Sequence, residues 1–554
     1  MRATTWRSIA IGGGCLIAAG IGLSGCAGSD EGGSGGLSGV SGGEDNSGGG
    51  GGGASASNGT SGGAPGGSDE PYVPEQEERF SFQAPRSSRN FVFVANTSLD
   101  SVAKVDASTL EVVSIEVGDH PTVVRTFRDE NLAVVLNTGS DEVSVIRAGD
   151  ASDYVINRDL PPDLNGLVLA PNGDYALAYY DFQAALEDPE LASDAPPFQD
   201  VALVRLAEGE EQVFNLTVGF QVLDVEFDEA GERAFIITRT GVSVVQMGAI
   251  DADRAIPPVS LTEFQESQDE TDREVEITDD GRFAFVRTAG LEGVNVVDLE
   301  SARTTLVAMS ATPTDLDIIP GQSRALAVVR QTRELVIVDL PQAIDDPESV
   351  RVISLGDEPA GLAELTPDAQ RALVFTSAEN RETITVVELE SGRFETHPLR
   401  KGVRSVAISP SGDRAIIFHN RLPGEPIPGE DVDDFIDKSW GYSLFDISTG
   451  DAKLETVPAE PGEFVFSEET GRLYVLLEDA NEDVRQVEVI DLAARRSDSV
   501  RLGSPPEHVG LIPNDGDPRV YISQEHPVGR MTFIDELTRD VKTVTGYQLN
   551  SLIE

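Results

Sequence analysis

Five histidines, His120, His397, His419, His508 and His526, are the side chains here best suited to acid–base or metal chemistry near neutral pH. None stands in an H-x-H or H-E-x-x-H spacing, so no local geometry joins two of them on a metal. The densest acidic run, around Glu430, Asp431, Asp433, Asp434 and Asp437, offers oxygen ligands of the kind Ca²⁺ takes. It lacks the central glycine and terminal glutamate of an EF-hand loop. A different acidic set, Asp106, Asp298, Asp339, Glu388, Asp446, Asp491 and Asp535, recurs at one position of a long repeat. A carboxylate there accepts amide N–H groups of the following turn, so the recurrence reads as structural. No P-loop, dinucleotide fingerprint or G-x-S-x-G elbow occurs. The residues lean away from an enzyme.

The balance of charge narrows the partners. The 554 residues carry 41 Lys plus Arg against 96 Asp plus Glu, a net of −55. Such a chain repels phosphate backbones, which argues against nucleic acid. Both cysteines, Cys15 and Cys26, lie in the first 26 residues, so the rest of the chain has neither disulfide nor thiolate.

Arg2 and Arg7 precede an apolar, glycine-diluted run from Ile9 to Leu23, the pattern of a signal-peptide core. Leu23-Ser24-Gly25-Cys26 then resembles the bacterial lipobox. The resemblance implies cleavage before Cys26 and acylation of that residue, several chains together giving firm anchoring. It also implies the outer membrane in a diderm host, since Ala27 rather than aspartate follows. Residues 27–68 hold 19 glycines in 42 positions, too few apolar groups to offset the entropy of ordering. As a flexible coil this tether would reach roughly 35 Å. The expected organisation is a signal peptide over 1–25, a lipidated tether over 26–78 and a repeat domain over 79–554.

The repeat supplies the elements that position these side chains. A turn followed by an apolar strand returns as APNGDYALAYY (170–180), TDDGRFAFVRT (278–288), SPSGDRAIIFH (409–419) and others. The apolar strands begin near 91, 133, 175, 234, 283, 325, 372, 415, 473 and 520. A short strand precedes each turn, and two more follow, as in VNVVDLE (294–300) and VRVISLG (350–356). Four strands with short connections make an antiparallel sheet, and ten such sheets must stack on one another to bury their faces. The fold expected is an all-β β-propeller of about ten four-stranded blades in one ring, with two smaller propellers as the alternative. RFSFQAP (79–85) is expected as the innermost strand of the first blade and DVKTVTG (540–546) as the outermost of the last.

The unit from 91 to 124, FVFVANTSLDSVAKVDASTLEVVSIEVGDHPTVV, resembles the YVTN propeller repeats of extracellular and surface-layer proteins, related in fold to lactonase-like propellers. FVFVAN stands for YVTN, SVAKVDAST for the VSVID strand and turn, and VGDHP for the V-G-x-x-P loop. Two long insertions, 181–200 and 420–442, join second and third strands five units apart. They therefore rise on opposite sides of one face, and rim loops on rigid scaffolds carry function. His120, His508, Trp440 and His419 are the candidate binding residues of that face, and Asp431, Asp433 and Asp434 the candidate Ca²⁺ ligands. Two tryptophans, Trp6 and Trp440, are too few for a quinoprotein propeller. The expected function is a lipid-anchored propeller in the cell envelope that binds an extracellular ligand or another envelope protein. A lactonase-like hydrolase and a Ca²⁺-dependent adhesion module are the alternatives.

Overall fold

A computed structural model describes residues 86–149, 152–193, 195–261, 273–429, 431–481 and 483–547. Cys26, the tether, the stretch 79–85 and Glu430 lie outside them.

Each second strand is a run of apolar residues because both faces of its sheet are covered. Alternate side chains serve different neighbours. In Phe283–Thr288, Phe283 and Phe285 pack toward the following blade, while Ala284 and Val286 pack toward the preceding one. Ten such cores exist, one in every gap between successive blades. The last of them joins Val92, Val94 and Val105 of blade 1 to Ile512, Tyr521 and Phe533 of blade 10. No gap is left without a core, so the chain forms one closed ten-bladed ring and not two smaller propellers.

Closure is also polar. Ser87 Oγ donates to Leu511 O at 2.6 Å, the Asn514 amide donates to Arg89 O at 2.7 Å, and Arg89 pairs with Asp515 at 2.5 Å. The pairing partner of Phe91–Asn96 on the axial side is Arg86–Ser87. Those two residues, directly after the stretch expected there, form the described inner strand of blade 1.

The inner strands are Arg86–Ser87, Pro121–Phe127, Gly166–Leu169, Val222–Phe227, Arg273–Ile277, Asp315–Ile318, Leu362–Leu365, Val403–Ile408, Pro461–Ser467 and Pro506–Ile512. Eight blades are plain four-stranded antiparallel sheets, and blades 3 and 4 are not. Blade 4 has three strands, Val222–Phe227, Arg233–Thr238 and Gly241–Gln246. The chain then crosses back. Arg254–Ala255 pairs in parallel with Gln212–Thr217, the fourth strand of blade 3. Val259 returns to exchange two backbone hydrogen bonds with Val242, at 2.9 and 2.8 Å. This strap corrects the expectation of four strands in every unit. It covers an edge that would otherwise present free amides.

The turns follow from local chemistry. Gly281 sits at φ 60°, and blade 7 places Ala369 at the matching position with φ 57°. The recurrent acids at the ends of third strands cap the next turn. Asp106, Asp298, Asp446 and Asp535 each accept the amides two and three residues ahead, at 2.7–3.0 Å. The Thr538 amide helps hold the Asp535 carboxyl below the usual carboxylate range. In register across the sheet stand arginines: Arg324 opposite Asp339, Arg371 opposite Glu388, Arg414 opposite Asp446, Arg472 opposite Asp491 and Arg519 opposite Asp535. Arg414 and Asp446 meet at 2.8 Å. The job of this acidic set is structural.

Candidate functional site

Among the described residues no group of three or more His, Cys, Asp or Glu is arranged to hold a metal ion. The histidines explain why. His419 ends the second strand of blade 8 and is 1% exposed. Its Nδ1 lies 3.2 Å from Gly402 O and its Nε2 2.7 Å from Ser443 Oγ. Burial pushes its pKa down to about 4, so the ring is neutral and serves the interior of the blade. His419 therefore leaves the binding face on which the sequence put it.

His120 lies in the connection from blade 1 to blade 2, at φ 54°, its amide donating to Asp100 Oδ1 at 2.8 Å. His508, on the inner strand of blade 10, sets Nδ1 3.0 Å from Glu463 Oε2 on the inner strand of blade 9. His397 is on the outermost strand of blade 7 against Phe445. His526 Nδ1 accepts the Val528 amide at 3.3 Å. Each has a separate local role.

The acidic run of blade 8 does not converge either. Asp431 caps a helix, Val432–Lys438, accepting the amides of Asp433 and Asp434. Asp433 pairs with Arg400 at 3.1 Å and Asp434 with Lys438 at 2.8 Å. The three carboxylates expected to share Ca²⁺ are drawn to three different partners. One of the five lysines anchors this insertion from below. Lys401, 2% exposed, donates through Nζ to the carbonyls of Ile436, Asp437 and Ser439 at 2.6, 3.0 and 3.0 Å. A cation on the last carbonyls of a helix also meets the negative end of its dipole. Trp440 packs against Arg421, whose guanidinium lies 5.2 Å from the ring.

The blade 3 insertion is held by a different device. Asp181 caps the helix Phe182–Glu187, and Asn165 Nδ2 donates to Asp181 O and Leu191 O, both at 3.1 Å. Phe198 is its keystone, with ring centroids of Tyr180, Phe182 and Phe220 at 5.7, 6.0 and 5.2 Å. Leu186, one turn beyond Phe182 on the same helix face, is 61% exposed. Phe220 is 42% exposed and Leu223 47%. Through Phe182 and Phe198 the helix that carries Leu186 meets Phe220, and these apolar side chains, with Leu223, form a ridge on the face that carries the insertions; Glu187 and Asp224 adjoin them in sequence.

The inner strands hold charges that the sequence reading passed over. Blades 4 to 7 contribute Asp224, Glu226, Glu274, Glu276, Asp315, Asp317 and Glu364. Arg287 pairs with Glu274 at 2.5 Å. Asp315 Oδ2 accepts the Ala363 amide at 2.7 Å, which ties blade 6 to blade 7, while Asp317 Oδ2 is buried without a partner. Burial and neighbouring carboxylates push Asp315 up to about 6 and Glu364 up to about 7, and Asp317 well above its ordinary value. On the other side, blades 1 and 2 contribute Arg86 and Arg125. The available signal was the spacing of two in REVEI and DLDI, which sends paired acids to one side of an inner strand.

No family model matches the chain, and no curated protein matches it. Among solved structures, hydrazine synthase of Kuenenia stuttgartiensis is 18% identical, over 52% of this chain and 86% of that one, with a TM-score of 0.32. The dihydro-heme d1 dehydrogenase NirN, in complex with DHE, is 12% identical, over 76% and 74%, with a TM-score of 0.39. Similarity at this level extends to the fold alone. The chain is a ten-bladed β-propeller protein.

Proposed function

We propose that this protein is a lipid-anchored, extracytoplasmic binding propeller, held through Cys26 and engaging a partner protein on the face that carries its two insertions. The observation that carries the reading is the apolar ridge of Leu186, Phe220 and Leu223. Large exposed apolar side chains gathered around one insertion of an otherwise strongly acidic protein mark an interaction surface. The flanking acids Glu187 and Asp224 favour a partner segment with an apolar anchor between Lys or Arg side chains. The lipobox resemblance and the glycine-rich tether support the anchor.

The test has two arms on the full-length protein in its native cells. A photoreactive residue at position 220 is expected to form one discrete crosslinked adduct, and the same residue at Ser411, in a turn of the opposite face, none. Equal labelling from both positions, or none from 220, refutes the docking face. Separately, Cys26→Ser is expected to move the protein from the membrane to the soluble fraction. A mutant that stays on membranes refutes the anchor and leaves the docking result standing.

A further inference from the structure

We propose that the axial channel contains an oxyanion-binding site between blades 1 and 2, built from the guanidinium groups of Arg86 and Arg125 with the Tyr179 phenol beside them. The inference does not depend on the apolar ridge or on a protein partner there.

The backbone brings the two arginines abreast. Thr126 Oγ1 donates to Ser87 O at 2.7 Å, locking the residues that follow each arginine across neighbouring inner strands. Ser87 is held from the other side by its bond to Leu511 O. Arg125 is half-buried, and its only described side-chain hydrogen bond runs from Nη1 to Val124 O at 3.2 Å. Neither guanidinium forms an ion pair among the described residues. By contrast, Arg233, Arg287, Arg324, Arg404 and Arg414, on first or second strands of other blades, each find a carboxylate.

Two like charges side by side destabilise the fold. Burial first, and then the Arg86 charge, lower the Arg125 pKa to about 10, so the group remains cationic at neutral pH. Asp181 and Tyr179 act on Arg125 in the opposite sense, but Asp181 is already engaged as the cap of the blade 3 helix. Tyr179 packs its ring over Gly166, where a Cβ would stand 2.9 Å from Cζ. Burial first, and then the Asp181 and Asp224 carboxylates, raise the phenol pKa and keep it protonated, a neutral donor near the Arg125 cation. Two forked donors and one hydroxyl suit a group with two or three charged oxygens, a carboxylate or a phosphoryl group.

The experiment follows thermal unfolding of the full-length protein in inorganic phosphate, phenyl phosphate or succinate, at constant ionic strength set with sodium chloride. The expected result is a saturable rise in Tm with at least one of the three. A preference for phosphate and phenyl phosphate identifies a phosphoryl ligand, and a preference for succinate a carboxylate. Arg86→Gln and Arg125→Gln should each weaken the apparent Kd at least tenfold, whereas Arg239→Gln, an exposed arginine elsewhere, should leave it unchanged. Arg86→Lys and Arg125→Lys should each retain part of the affinity, which separates loss of charge from misfolding. No saturable shift with any of the three, or one retained in either glutamine variant, overturns the proposal.

Discussion

Two sides of one channel face the same electrostatic problem and answer it differently. On blades 4 to 7, carboxylates crowd one another; on blades 1 and 2, two guanidiniums do. A carboxyl starts near 4, so burial and repulsion lift Asp315 to about 6 and Glu364 to about 7, and protons relieve the crowding within the physiological range. A guanidinium starts so high that a fall to about 10 leaves Arg125 charged at any pH the cell meets. The acidic side can neutralise itself. The basic side needs an anion.

The largest effect expected from this difference is in the pH dependence of stability. A carboxyl whose pKa is raised by folding binds more protons in the native state. Its stabilising contribution is therefore complete below the unfolded value near 4 and is lost as pH rises through 6 to 7. With Asp315 lifted to about 6 and Glu364 to about 7, the loss across the two together is on the order of a few kcal/mol between pH 4 and pH 8. Denaturant midpoints should fall across that window. Asp317→Asn should flatten the slope and raise the midpoint at pH 8, and parallel slopes for wild type and variant would break the comparison.

Removing Arg287, a cation paired on the acidic side, is the next largest change. Arg287→Leu leaves Glu274 uncompensated and withdraws a charge that also favours ionised Asp315. A loss of about 1–3 kcal/mol at pH 8, shrinking at pH 5, is expected in chemical denaturation. On the basic side, Arg125→Gln should act with the opposite sign. Ligand-free stability should rise by about 0.5–1 kcal/mol, by the same increment at every pH between 5 and 8; destabilisation there would mean the pair has an unrecognised partner. The smallest effect belongs to the rim. Leu223→Ser should change stability by less than about 1 kcal/mol, because the side chain is already 47% exposed, while weakening the photocrosslink formed from position 220.

Why the ring was readable and the channel was not follows from the range of the interactions. Second strands were found within a residue of their true starts, Phe91, Leu132, Tyr175 and Arg233 among them, because a strand covered on both faces is a local apolar run bounded by a local turn. Turn-capping acids such as Asp106 and Asp446 were readable for the same reason, since each bonds amides two and three residues ahead. The strap was not. Arg254 pairs with Leu216, 38 residues earlier, on a different blade, and nothing near Arg254 announces it. His419 misled because a histidine at a strand end looks like a rim residue until the Gly402 carbonyl and Ser443 hydroxyl close around it. Asp431, Asp433 and Asp434 looked like a ligand set, and a helix turned them toward separate partners.

By itself the amino-acid sequence determined the number of blades and the turn chemistry that separates their strands, because those rest on contacts within about 45 residues. The expectation of an anchor at Cys26 also rests on sequence alone. Tertiary structure decided which charges meet. Arg86 and Arg125 lie in neighbouring units, as do Asp315 and Glu364, and each pair becomes adjacent only when inner strands stand abreast around the axis. Closure of blade 10 onto blade 1 holds Arg86 in that line through Ser87 and Leu511, residues separated by almost the whole ring.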